Sequence, residues 1–157
     1  MLGLGALAAL AIPAFATIAW LTTTPADHGR ETVLTLVAAA EAGQPSAAKA
    51  LFTAEATIHM GTAGAPGAPR ERIDRAFDSF AGRHRIEENS IWSIEAASLT
   101  PTRAQVDLTC RTRTATSLGT VPTQWTFDVE AQSDGSWKIV RIVWRAVAGQ
   151  VPSLSLL

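Results

Sequence analysis

Few side chains in this 157-residue sequence can exchange a proton or hold a metal near neutral pH: there are three histidines, one cysteine and no tyrosine. His59 is the candidate for acid–base work, because an imidazole titrates close to neutrality. It would need a carboxylate in reach, and Asp107 or Asp128 could supply one only from an inward strand face. Alternation argues against that. Val106, Leu108 and Cys110 share one face of their segment, and Trp125, Phe127 and Val129 share one face of theirs, so both aspartates are expected to point away from the core. A zinc site needs three or four ligands at closed spacing, whereas His28, His59, His84 and Cys110 lie on separate elements with no HxH, HExxH or CxxC pattern. No metal is expected. Cys110 reads as a small buried hydrophobe. Gly61, Gly64 and Gly67 fit neither a dinucleotide fingerprint nor a P-loop and read as a connector, so no cofactor is implied. Arg83-His84-Arg85 reads as a solvated helix end, and Arg111 and Arg113 as partners for Asp107 or a neighbouring strand.

The elements that must position these residues follow from periodicity. Thr24-Pro25-Ala26-Asp27 combines an N-cap hydroxyl, a proline at the first helical position and a carboxylate two residues further on. Val33, Leu36, Val37 and Ala40 then recur at helical spacing, and Gly43 and Pro45 end the run, which predicts a helix over 25–42. A shorter helix is expected over 46–52, a strand over 56–60 and a loop over 61–69. Ile73, Ala76, Phe77 and Phe80 form an apolar stripe closed by Gly82, which predicts a third helix over 70–82. From residue 85 the period changes to two. Strands are expected over 86–98, 103–114, 123–131 and 137–148, separated by turn sequences such as Ser133-Asp134-Gly135-Ser136. The fold class is therefore α+β, with three N-terminal helices packed on a curved antiparallel sheet. In the last strand, Ile139 and Val143 fall on one face and Val140, Ile142 and Trp144 on the other, so a covered outer sheet face is expected.

Residues 1–21 contain no ionisable side chain and as a helix would span about 31 Å, the thickness of a hydrocarbon core. Trp20 falls at the headgroup level and three threonines follow. The segment is read as a single transmembrane-type helix in the bilayer. A cleaved signal peptide is the alternative, since Ala14-Phe15-Ala16 resembles a processing site, although no Lys or Arg precedes the apolar run. The division is thus an anchor over 1–22, a domain over 23–150 and a tail over 151–157, with the domain displayed on the extracytoplasmic side of a single-pass membrane protein. Thirteen basic residues against fourteen acidic ones, with a pI near 6.3, give no net positive field for nucleic acid.

Four stretches together carry a family resemblance. Glu41-Ala42-Gly43 followed by Leu51 to His59, the helix from Arg70-Glu71-Arg72-Ile73 through Phe77 and Phe80, Trp125-Thr126-Phe127-Asp128-Val129, and Asp134 to Val140 resemble the NTF2-like superfamily, the cone fold of nuclear transport factor 2, ketosteroid isomerase, scytalone dehydratase and SnoaL-like polyketide cyclases. The likeness covers about 27–147. It implies a cone whose interior receives side chains near the first strand, His59 among them, and an outer sheet face that often meets a protein partner or a second copy. Steroid isomerisation in this fold uses a carboxylate base with a tyrosine donor, and the dehydratase chemistry uses histidine, aspartate and tyrosine, so the missing tyrosines depart from both patterns. The expectation is a membrane-anchored, non-catalytic accessory or assembly subunit. Two alternatives stand beside it: a domain binding a small apolar ligand between His59, Trp92 and Trp125, and a SnoaL-like isomerase, cyclase or dehydratase using His59. A filled cone favours assembly, an open apolar one favours binding, and His59 facing a carboxylate across an open one favours catalysis.

Overall fold

The structure, a computed structural model, describes residues 23–152. The anchor expected over 1–22 lies outside the described residues. Among those residues no helix is long and apolar enough to cross a membrane.

Helix α1 (Pro25–Glu41) begins as its sequence requires. The Thr24 hydroxyl accepts the Asp27 N–H at 3.2 Å and the Asp27 carboxylate accepts the Thr24 N–H at 2.8 Å, which satisfies two otherwise orphaned donors. The Thr24 N–H, and after it the Thr24 hydroxyl, which donates to the same carboxylate oxygen at 2.7 Å, hold the Asp27 carboxyl below its ordinary pKa. Helix α2 (Pro45–Lys49) follows a turn at Gly43, whose φ of 62° suits glycine. Strand β1 (Phe52–Met60), helix α3 (Arg70–Ala81) and strands β2 (Ile86–Thr100), β3 (Arg103–Thr114), β4 (Val121–Ala131) and β5 (Trp137–Val147) complete the described elements.

The five strands form one curved sheet in the order β1-β5-β4-β3-β2. Its four last strands meander antiparallel as expected, but β1 pairs in parallel with β5, so the sheet is mixed rather than wholly antiparallel. The cause is topological. After β1 the chain crosses by α3 to the far edge of the sheet and returns strand by strand, so that β5 arrives beside β1 running in the same direction. Because β1 precedes α3, the three described helices do not all come before the sheet. Strand β1 also starts four residues early and shortens the expected second helix, because Phe52 sits opposite Ile139 and Leu51 O accepts the Ile139 N–H at 2.8 Å.

The last strand holds a second correction. Two residues, Val140 and Arg145, have no counterpart on β4, and these bulges shift the alternation twice. Ile142 and Trp144 therefore face the interior with Ile139, opposite Phe127, Trp125 and Val129, while Val143 lies opposite Thr126 on the outer face. The outer face is consequently polar. Asp128, 5 % exposed, takes the Arg141 Nε–H at 2.6 Å, and the Thr126 hydroxyl accepts from Arg145 Nε at 2.6 Å and donates to Asp107.

One face of α1 (Gly29, Thr32, Val33, Leu36, Ala39) and one face of α3 (Ile73, Ala76, Phe77) bury against the inner sheet face. At Gly29 the helix touches the sheet: a Cβ there would meet Ala104 Cβ at 2.8 Å and Val106 Cγ2 at 3.1 Å. Alanine in a helix interior ordinarily stabilises by about 1 kcal/mol relative to glycine. Gly29→Ala is expected to destabilise by about 1–3 kcal/mol instead, as overpacking does, read from the urea midpoint. A variant as stable as the parent would show that α1 is free to lift off β3.

Candidate functional site

The cone is not filled. Between α1, α3 and the inner sheet face lies a cavity of about 340 Å³. Its deep wall is apolar and buried: Leu36 from α1, Ile73 and Phe77 from α3, and Ile58, Leu108, Phe127 and Ile142 from the sheet. Trp125 and Trp144 stack in the middle with ring centroids 4.8 Å apart and planes 8° from parallel. The Trp125 Nε1–H donates to the Thr123 hydroxyl at 2.9 Å, beside the Cys110 thiol at 3.2 Å from the same oxygen. Trp144 is 9 % exposed, and its indole N–H has no hydrogen-bond partner among the described residues. Unmet buried donors are rare in folded proteins, and this one belongs to a side chain of the cavity wall.

Toward the other end the lining becomes polar and only partly buried. The inward positions of β3 run Ala104, Val106, Leu108, Cys110, Thr112 and Thr114, a gradient from apolar to hydroxylated whose last four members one strand's alternation delivers to the cavity. Asn89, Ser117, His84 and Ser79 join Thr112 and Thr114 there. Thr112 donates to Asn89 Oδ1 at 2.7 Å, and His84 Nδ1 lies 2.6 Å from the Thr116 hydroxyl. Among the described residues no Asp or Glu lines the cavity.

Of the three residues expected to form the pocket, the structure places one there. Trp125 lines the cavity. His59 does not: it sits opposite Val143 in the β1–β5 pairing, on the outward parity of β1, while its neighbour Ile58 faces inward. Its ring is held beneath the 61–69 loop, with Nδ1 2.7 Å from Ala65 O and Nε2 3.0 Å from the Thr57 hydroxyl. A Cβ at Gly67 would meet that ring at 2.8 Å, so the glycine allows the loop to close over it. Trp92 is 61 % exposed at a bulge of β2, under the Arg111 guanidinium at 5.1 Å from the ring centroid. Asp107 and Asp128 lie on the outer face, as alternation predicts, and Arg113 pairs with Glu87 and Glu88 of the neighbouring strand. Four lining residues were missed from the sequence: Trp144, reversed by the bulges, and Asn89, Thr112 and His84, whose polarity reads as ordinary strand edge and helix end. The Cys110, Thr112, Thr114 progression was the available signal.

The sequence matches no protein-family model and no curated protein. Solved structures do share its architecture. A ketosteroid isomerase-like protein from Erwinia carotovora atroseptica superposes with a TM-score of 0.58 at 17 % identity, over 72 % of this chain and 88 % of that one. An NTF2-like protein of unknown function from Pseudomonas putida gives 0.62 at 10 %, over 77 % and 85 %. A provisionally named scytalone dehydratase from Novosphingobium aromaticivorans gives 0.60 at 15 %, over 80 % and 83 %. At such identities the likeness shows the fold alone, and that fold is the NTF2-like cone.

The placement of His59 generates a test. His59→Ala is expected to raise hydrogen-exchange rates at Ala65 and Ala68 by about tenfold or more, by releasing the loop, while leaving the cavity-lining strands protected. Unchanged exchange in the loop would mean that the imidazole does not hold it.

Proposed function

We propose that this NTF2-like domain binds a small, mainly apolar molecule inside its cone. The observation that carries the reading is the cavity itself. It has an apolar floor, a stacked tryptophan wall and a few polar groups at one end, which is the usual composition of a ligand pocket. The expectation of an assembly subunit rested on the missing catalytic tyrosines and an apolar outer sheet face, and a filled cone would have favoured it. An open cone and a polar outer face move the balance to binding. Catalysis of the isomerase or dehydratase kind has the support of neighbours named for those activities, but the lining offers no carboxylate base, and His59 lies outside it.

The apolar segment over 1–21 adds a location to this reading. Inserted in a bilayer it would hold the binding domain beside a membrane, where apolar small molecules concentrate. The chain is then expected in the pellet after carbonate extraction of native membranes, with Met1 retained. A soluble chain starting near Thr17 would remove the tether and leave the binding reading intact.

Binding itself is tested with 1-aminoanthracene, an apolar dye whose emission rises and shifts to the blue out of water. Saturable binding at one site per chain is expected. Ala40→Phe, which places a ring into the cavity from the half-buried end of α1, is expected to weaken it at least tenfold. Absence of saturable binding in the parent, or equal binding in a folded Ala40→Phe variant, overturns the proposal.

A further inference from the structure

The polar end of the cavity selects among apolar guests, and most of its groups are already committed. Ser117 Oγ donates to Thr114 O at 3.0 Å and accepts the Thr114 N–H at 2.9 Å, so it fixes the β3–β4 turn. The Thr112 hydroxyl donates to Asn89 Oδ1. The Thr123 hydroxyl accepts from Trp125 and faces the Cys110 thiol. What remains is a set of groups able to donate. Asn89, with its carbonyl oxygen occupied by Thr112, has its NH₂ group free of protein partners among the described residues. His84 engages Thr116 through Nδ1 and keeps Nε2, and the Ser79 hydroxyl lies close by, since the His84 N–H donates to Ser79 O at 2.9 Å. All three side chains line the cavity.

The surrounding charge has one sign to spare. Arg83 and Arg85 flank His84 in the chain, Arg85 meets Glu87 at 3.9 Å, and Arg83 has no carboxylate partner among the described residues, while the pairs of Arg113 with Glu87 and Glu88 belong to the outer sheet face. With Arg83 and Arg85 beside His84 and no acidic residue among the described residues of the lining, this end suits an anion better than a neutral group. At interior packing density, roughly 20 Å³ per non-hydrogen atom, the volume of about 340 Å³ holds a guest of up to about 17 such atoms, and the flat Trp125–Trp144 stack suits a planar body.

We propose that the guest is a compact aromatic or cyclic monocarboxylic acid, its ring body against Trp125 and Trp144 and its carboxylate taken by Asn89 and His84 at the polar end. This deepens the ligand-binding reading and rests on it. The probes are 2-naphthoate and its neutral isostere 2-naphthamide, titrated calorimetrically into the full chain.

Naphthoate is expected to bind at least tenfold more tightly than naphthamide. Asn89→Asp keeps the acceptor for Thr112 but sets a second carboxylate against the guest, so it should cost naphthoate tenfold or more and leave naphthamide, which can donate to the new carboxylate, as tightly bound or tighter. His84→Gln should weaken naphthoate more than naphthamide. Equal affinities in the parent, or an Asn89→Asp variant that still prefers naphthoate, overturns the carboxylate assignment. If neither compound binds while 1-aminoanthracene does, this assignment falls and the apolar-ligand reading survives. If the dye also fails, both fall.

Discussion

The cone depends on one close approach. Helix α1 meets the sheet at Gly29, where only the absence of a side chain lets the helix backbone rest on Ala104 and Val106. The Ala26 N–H, donating to Ser98 Oγ at 3.0 Å, secures the same end of the helix to β2. From that point the packing face of α1 runs through Thr32 and Val33 to Leu36, toward the end of the helix that borders the cavity with Val37 and Ala40. A glycine that costs a helix about 1 kcal/mol in propensity thereby fixes how closely α1 approaches β3. The narrow end is solid, with Val33, Val106, Val129 and Ile139 fully buried, and the space lies beyond it.

The second constraint is the pair of bulges in β5. A regular strand would have placed Trp144 on the outer face and left the cavity with a single tryptophan. The extra residue at Val140 turns Ile142 and Trp144 inward and sets Arg141 and Val143 outward, and the one at Arg145 brings Val147 back to the cavity side. The outer face then assembles as a polar lattice around Asp128, Thr126 and Asp107. Val143 lies within that lattice at 4 % exposure.

How much of this could be read in advance divides along physical lines. Local signals were legible: the capping box at Thr24, the stripe from Ile73 to Phe80, the two-residue alternation of β3 and β4, and the Asp-Gly turn at Gly135 each encode their element within a few residues. Non-local choices were not. Nothing near Phe52 or Ile58 states that β1 will lie parallel to a strand eighty residues later, and a bulge inverts every side chain beyond it without a dedicated residue type. The fate of His59 follows from parity alone, since it faces outward because its neighbour Ile58 is needed inside. Trp92, extruded at a bulge of β2, was misplaced for the same reason.

The cavity is also a statement about stability. A closed, dry void of this size would cost about 8 kcal/mol at the usual price per unit volume, comparable with the whole stability of an average domain. Opening at a polar end reduces that cost, because water can occupy the part of the space near Asn89, Thr112 and His84, but the floor between Phe77, Leu108 and Ile142 offers water no partner. Closing the space by collapse is resisted at two points, the Gly29 contact on one side and the tilted Phe52–Phe77 pair, 5.7 Å apart, under α3 on the other. Alanines at 40 and 76 leave the space unfilled where longer apolar side chains would reach into it. A guest that desolvates the floor and meets the donors at the rim would therefore recover free energy that the empty fold forgoes, and by linkage the domain would be more stable in the presence of its ligand than without it.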